Sequence, residues 1–175
     1  MLKFYFNGSP NPTKVALFLE EAGLAYEPVA IDTRKGAQST PEYLAINPNG
    51  KIPSIVDPVG PDGKSMKMME SGAILVYLAG KTGRFLPASD RGKYEALQWL
   101  MFQMGGVGPM FGQTHHFLRY APEKVDYAIG RYTRETTRLY GALNARLGQQ
   151  EYLADEYTLA DIAPYPRVAG TEGHD

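Results

Sequence analysis

The sequence predicts an α+β domain followed by an all-α one, and three observations carry that expectation. Residues 1–83 alternate strand-like and helix-like patterns, which argues for a parallel component in a sheet. Two short apolar runs flank "PDG", a hairpin signal that adds an antiparallel edge. Beyond Gly83 no strand pattern recurs, and apolar residues fall at helical spacing instead.

The elements follow in order as strand, helix, strand, helix, strand, strand, helix, or βαβαββα. In "MLKFYF", Leu2, Phe4 and Phe6 alternate with Lys3 and Tyr5, as a half-buried strand does. A helix is expected from about Pro12 or Thr13, with Val15, Phe18, Leu19 and Ala22 on one face and Gly23 as its C-terminal cap. "AYEPVAI" reads as a second strand, at an edge or bulged because of Pro28. A short helix in "PEYLAI" closes at Asn47-Pro48. "KIPSIVD" and "SMKMME" form the hairpin, and Ser71 opens the helix "SGAILVYLAGKTG". "GRFLPASDRG" reads as a linker in which Ser89 or Asp90 caps the next helix. Val125, Ala128, Ile129, Tyr132, Thr136, Leu139, Leu143 and Leu147 mark one face of a long helix, begun near Pro122 and ended by Gly148.

Composition narrows the function. A chain of 175 residues with 43% hydrophobic and 21% charged residues is ordinary globular material. A net charge of -1 and the lack of a basic run supply no electrostatic reason for nucleic acid or an anionic membrane. Cysteine is absent, so any thiol or disulfide chemistry must use sulfur brought by the ligand. The segment from Ala96 to Leu118 lacks Asp, Glu, Lys and Arg and is long enough to span a bilayer. Three glutamines, Pro109, four glycines and two histidines interrupt it, so the expectation is a buried, kinked helix in a cytoplasmic protein.

Four stretches stand out for chemistry. "SPNPT" puts Ser9 and Asn11 at a helix mouth stiffened by two prolines; they read either as turn and cap residues or as donors to a ligand. Ile52-Pro53 reads either as a stiff turn or as a cis proline beside backbone left open to an extended ligand. Ser71 is either an N-cap or part of an anion site at a helix N-terminus, with Glu70 able to hold an ammonium. A carboxylate and an ammonium together describe an amino-acid head or a γ-glutamyl group. His115-His116 point about 100° apart on a helix with no carboxylate at ligand spacing, so they read as structural or as lining a cleft rather than as a metal pair. Thr158-x-x-Asp161 is a capping-box-like start.

"NPNGKIPSIVD", "ESGAILVYLAGKTG" and "YTLADIA" resemble the glutathione transferase superfamily across the whole chain. "KGAQSTPEYLAINPNGKIPSIVD" and "LQWLMFQMGGVGPMFGQTHHF" look like its bacterial nu class. That class includes glutathione-dependent disulfide-bond oxidoreductases and is similar to the globular domain of the yeast nitrogen-regulating prion protein.

The resemblance implies a thioredoxin-like, glutathione-binding domain over 1–83, a linker over 84–90 and a helical domain over 91–175. Family members continue for several tens of residues past "TLADIA", so the helical domain is expected to be incomplete. By the same resemblance, Pro53 is the cis proline and Ile52 pairs through its backbone with the cysteinyl unit of glutathione. Glu70 and Ser71 hold the γ-glutamyl end, and Gln38 and Lys51 contact the peptide backbone or the glycine carboxylate. Ser9 and Asn11 meet the sulfur, with serine standing where the nu class commonly has threonine. Gln98 and Arg131, otherwise a helix-face amide and a surface arginine, help hold a second glutathione or glutathione disulfide. The implied protein is a homodimeric enzyme that uses glutathione as cosubstrate against a small disulfide or electrophile, without metal. The alternative is a transferase-like binding or regulatory protein with little catalysis.

Magnitudes permit the catalytic reading. A free thiol of pKa roughly 8.5 is only a few per cent thiolate at neutral pH. Lowering that pKa by two units needs about 2.7 kcal/mol. One hydrogen bond to the anion supplies about 1.5–3 kcal/mol and a helix N-terminus about 0.3–1 kcal/mol. One or two donors at the loop therefore suffice.

Overall fold

The computed structural model describes residues 1–169. The chain divides into two compact units, the first Met1–Arg84 and the second beginning at Phe85. The end of the expected helical domain, from residue 170, lies outside the described residues.

The first unit is built on β1 (Leu2–Phe6), α1 (Pro10–Ala22), β2 (Tyr26–Ala30), α2 (Pro41–Leu44), β3 (Ser54–Asp57), β4 (Met66–Met69) and α3 (Ser71–Thr82). The sheet order is β2-β1-β3-β4, with β2 parallel to β1 and the other neighbours antiparallel. Pro28 sits on the edge strand, where its missing N–H costs no ladder bond. Phe4 and Ile55 of the sheet are fully buried, as are Val15, Phe18 and Leu19 of α1 and Ile74, Leu75 and Leu78 of α3. Gly23 and Gly83 close α1 and α3 in the left-handed conformation that glycine adopts without penalty.

Several boundaries differ from expectation. Helix α1 begins at Pro10, not Pro12 or Thr13, because a proline at the first helical position has no N–H to strand. Strand β3 begins only at Ser54, so Lys51, Ile52 and Pro53 precede the ladder. The long helix α6 (Asp126–Leu147) starts four residues after Pro122, and Leu147 is exposed rather than buried.

The second unit comprises α4 (Asp90–Phe102), α5 (Gly108–His115), α6, α7 (Leu159–Ile162) and α8 (Tyr165–Val168). Asp90, placed in the linker by the sequence reading, is already helical; Ser89 caps α4 by accepting from the Gly92 N–H at 3.2 Å. π-type turns at Gln103–Val107 and His116–Tyr120 interrupt the uncharged stretch, a local irregularity that bends a helix. No helix among the described residues is long and apolar enough to cross a membrane. The core gathers Ala96, Val107, Phe111, Leu139, Leu143 and Ala160. Thr158 and Asp161 complete a reciprocal capping box, and Asp161 also accepts from the Leu153 N–H at 2.8 Å.

Candidate functional site

Sheet register gathers the candidate stretches of the first unit. Tyr5 pairs with Ser54, and Ser54 pairs with Met69. Both ladders end there, so Asn7, Pro53 and Glu70 lie just past the same end of three adjacent strands. The β1–α1 loop, the Ile52-Pro53 segment and the start of α3 thus meet at one end of the sheet. The Ile52–Pro53 peptide bond is cis.

At the mouth of α1 the donors can be counted. Ser9 occupies the N-cap position with extended backbone, but its hydroxyl makes no capping bond. Its N–H donates to Asn7 Oδ1 at 2.9 Å. Its carbonyl accepts from the Thr13 N–H at 3.3 Å and from the Thr13 hydroxyl at 2.9 Å. Pro10 and Pro12 have no N–H. What this mouth presents to a ligand is the Ser9 hydroxyl, the Asn11 N–H and the Asn11 carboxamide. Asn11 lies inside the first turn and is not the cap.

Ile52 lies two residues ahead of β3, so the ladder uses neither its N–H nor its carbonyl. The turn before it is held from below: Tyr43 Oη and Asn47 Nδ2 each donate to the Lys51 carbonyl at 2.6 Å. The Lys51 side chain itself is exposed. Gln38, in the 3₁₀ turn Ala37–Ser39, keeps its Oε1 buried without a hydrogen-bond partner among the described residues. Buried acceptors are ordinarily paired, so this atom is suited to a ligand N–H.

Glu70, not Ser71, takes the N-cap position of α3, and the Glu70 side chain makes no capping bond. Ser71 is the first residue of the helix rather than its N-cap. Glu70 holds φ at 68°, a left-handed value uncommon for a residue with a β-carbon. Such strain persists where surrounding structure enforces it, and it concentrates at ligand sites. Ser71 is 3% exposed and accepts from Lys14 Nζ at 3.3 Å. Lys14 is itself 1% exposed, five residues after Ser9 on α1. Sequence reading passed over both Lys14 and Asn7. Lys14 shares the apolar stripe with Phe18, a position where a charged residue is itself a signal.

Gln98 on α4 and Arg131 on α6 are exposed within the second unit. His115 and Phe117 sit in aromatic contacts, with Tyr120 at 5.0 Å and Tyr132 at 5.5 Å. Among the described residues no group of three or more His, Cys, Asp or Glu could hold a metal ion.

Comparison with known proteins decides the lineage. The family model described as "Glutathione S-transferase, N-terminal domain" matches residues 1–80. The disulfide-bond oxidoreductase YfcG of Escherichia coli is 51% identical over 170 residues, covering 96% of this chain and 79% of that protein. The chain belongs to the glutathione transferase family. YghU of Escherichia coli, also a disulfide-bond oxidoreductase, is 38% identical, with 94% of this chain and 59% of that protein covered. A glutathione transferase from Pseudomonas putida, with one glutathione disulfide bound per subunit, superposes at a TM-score of 0.95. It shares 43% identity, and the match covers 99% of this chain and 76% of that one. A glutathione transferase from Burkholderia graminis, with two glutathione molecules per subunit, also reaches 0.95, at 48% identity over 99% and 73% of the two chains. The family's thioredoxin-like domain is the four-stranded first unit, with the helical unit following it.

Proposed function

We propose that this member of the glutathione transferase family is a glutathione-dependent disulfide-bond reductase that holds the tripeptide along the end of the first unit's sheet. The carrying observation is the mouth of α1, where two prolines and the pinned Ser9 backbone leave one hydroxyl and the donors of Asn11. These donors stabilise the glutathione thiolate. The Ile52 backbone pairs with the cysteinyl unit, Glu70 takes the γ-glutamyl ammonium and Ser71 its carboxylate. Gln38 and Lys51 serve the peptide backbone and the glycine end. Gln98 and Arg131 hold a second tripeptide, a role that a guanidinium suits by its two-bond grip on a carboxylate.

With no cysteine in the chain, every reacting sulfur belongs to a ligand. One glutathione thiolate attacks a sulfur of the substrate disulfide, forming a mixed disulfide and expelling a thiolate. A second glutathione thiolate attacks the glutathione sulfur of that mixed disulfide, releasing the other substrate thiolate and leaving glutathione disulfide. Two electrons pass from two glutathiones to the substrate, and the two expelled thiolates take up the protons that the glutathiones gave up. The relatives named as disulfide-bond oxidoreductases, and those holding two glutathiones or the disulfide, support this reading. The enzyme is read as a cytoplasmic homodimer.

Titration of enzyme-bound glutathione tests the site. Ser9→Ala and Asn11→Ala should each raise the bound thiol pKa by roughly 1–2 units, the worth of one charge-assisted bond. Turnover of a dialkyl disulfide at neutral pH should fall about ten- to a hundredfold, with a smaller change in glutathione affinity. Wild-type kinetics in both variants would remove the helix mouth from the mechanism.

A further inference from the structure

Asn7 occupies no role in the reaction above, yet its carboxamide is engaged at both ends. Oδ1 accepts from the Ser9 N–H at 2.9 Å, and Nδ2 donates to Thr33 Oγ1 at 3.2 Å. The orientation of this amide follows from chemistry, because a backbone N–H can face only an acceptor, which must be the oxygen. The first contact spans two residues and builds a local turn of the kind asparagine favours. The second spans 26 residues and joins the β1–α1 loop to the 3₁₀ turn Thr33–Lys35 that follows β2. Between those two loops, at the carboxyl ends of the parallel strands β1 and β2, lies an open cavity of about 540 Å³ with Asn7, Ser9 and Thr33 in its wall.

We infer that Asn7 is a positioning residue for the Ser9 hydroxyl. Thr13 fixes the Ser9 carbonyl and Asn7 fixes its N–H, so only the side-chain torsion remains to be set. Tethering Asn7 to Thr33 anchors that arrangement to the edge of the sheet rather than to the loop alone. The bond also decides which donor reaches the sulfur. With its N–H committed to Asn7, Ser9 offers the hydroxyl and not the backbone. The inference rests on the reading of Ser9 as a thiolate donor.

Glutathione titration on a small series of variants tests it. Asn7→Ala, which loses both bonds, should raise the bound thiol pKa by about one unit and lower turnover of a dialkyl disulfide roughly tenfold at neutral pH. Thr33→Val, which loses only the tether, should move both in the same direction by less. In a Ser9→Ala background, Asn7→Ala should add no further change in the thiol pKa, since its effect passes through the hydroxyl. A purely structural asparagine would lower the melting temperature and leave the thiol pKa where it was. An unchanged or lowered thiol pKa in Asn7→Ala overturns the inference while Ser9→Ala still raises it. If Ser9→Ala itself leaves the pKa unmoved, the reading of Ser9 fails first.

Discussion

Lys14 Nζ donates to Ser71 Oγ across 3.3 Å, joining α1 to the first residue of α3 with both side chains out of solvent. In the proposed site Ser71 serves a ligand carboxylate at the N-terminus of a twelve-residue helix, and Lys14 brings a further donor to the same place.

Lys14→Met keeps most of the packing volume and removes the charge. It should weaken glutathione binding by roughly tenfold, the worth of one charge-assisted contact, and leave the bound thiol pKa nearly unchanged. Calorimetry against glutathione reads this directly. Unchanged affinity would confine the Lys14–Ser71 contact to packing between α1 and α3.

The β-strands and their hairpin were legible because period-two alternation and "PDG" are local signals. Lys14 was not legible, although it stands four residues before Phe18 on the same stripe. A lysine is expected outside, and only the approach of α3 shows what it faces. Asn7 was missed for a similar reason: Asn-x-Ser suggests a turn, but Thr33 comes from a segment 26 residues away. Ser71 looked like a cap because serine usually is one. The strained backbone of Glu70 moved the cap position back by one residue, and no propensity encodes that. Leu147 fits the helical period but falls on the last residue of α6 and stays exposed among the described residues.

Asp57, Tyr77 and Lys81 tie the end of β3 to α3 and make that tie depend on pH. Tyr77 Oη donates to Asp57 Oδ2 at 2.6 Å, and Lys81 Nζ lies 2.8 Å from the same oxygen. Burial pushes the Asp57 carboxyl up, but donors from Lys81, Tyr77 and the Val59 N–H outweigh it and hold it below the usual value. Burial and the Asp57 carboxylate push the Tyr77 phenol from 10.0 to about 12. The depressed carboxyl stabilises the fold above its unfolded pKa, and that share is lost as pH falls through the folded value. The raised phenol stabilises it below pH 10.0, and that share is lost as pH rises toward about 12. Tyr77→Phe should therefore cost about 1.5–3 kcal/mol at neutral pH and progressively less above pH 10.0. Urea unfolding of both proteins across that range checks it. A constant difference up to pH 12 would mean that the phenol is not held protonated by Asp57.

Glu70 separates backbone strain from ligand binding in one position. Its φ of 68° suits glycine, and a side chain held there costs on the order of 1–2 kcal/mol. Glu70→Gly relieves that strain but gives the unfolded chain more freedom, about 0.4–1 kcal/mol in the other direction. The variant should be as stable as the parent or slightly more so. Glu70→Ala keeps the strain and should not gain stability. Both lose the carboxylate that the proposed site offers to the γ-glutamyl ammonium, so both should bind glutathione roughly tenfold more weakly. Calorimetry and thermal unfolding on the pair resolve the two effects. A stabilised Glu70→Gly with weakened binding identifies a residue whose strain is retained for its ligand. Undiminished affinity in both variants would leave the left-handed backbone as a feature of the β4–α3 junction alone.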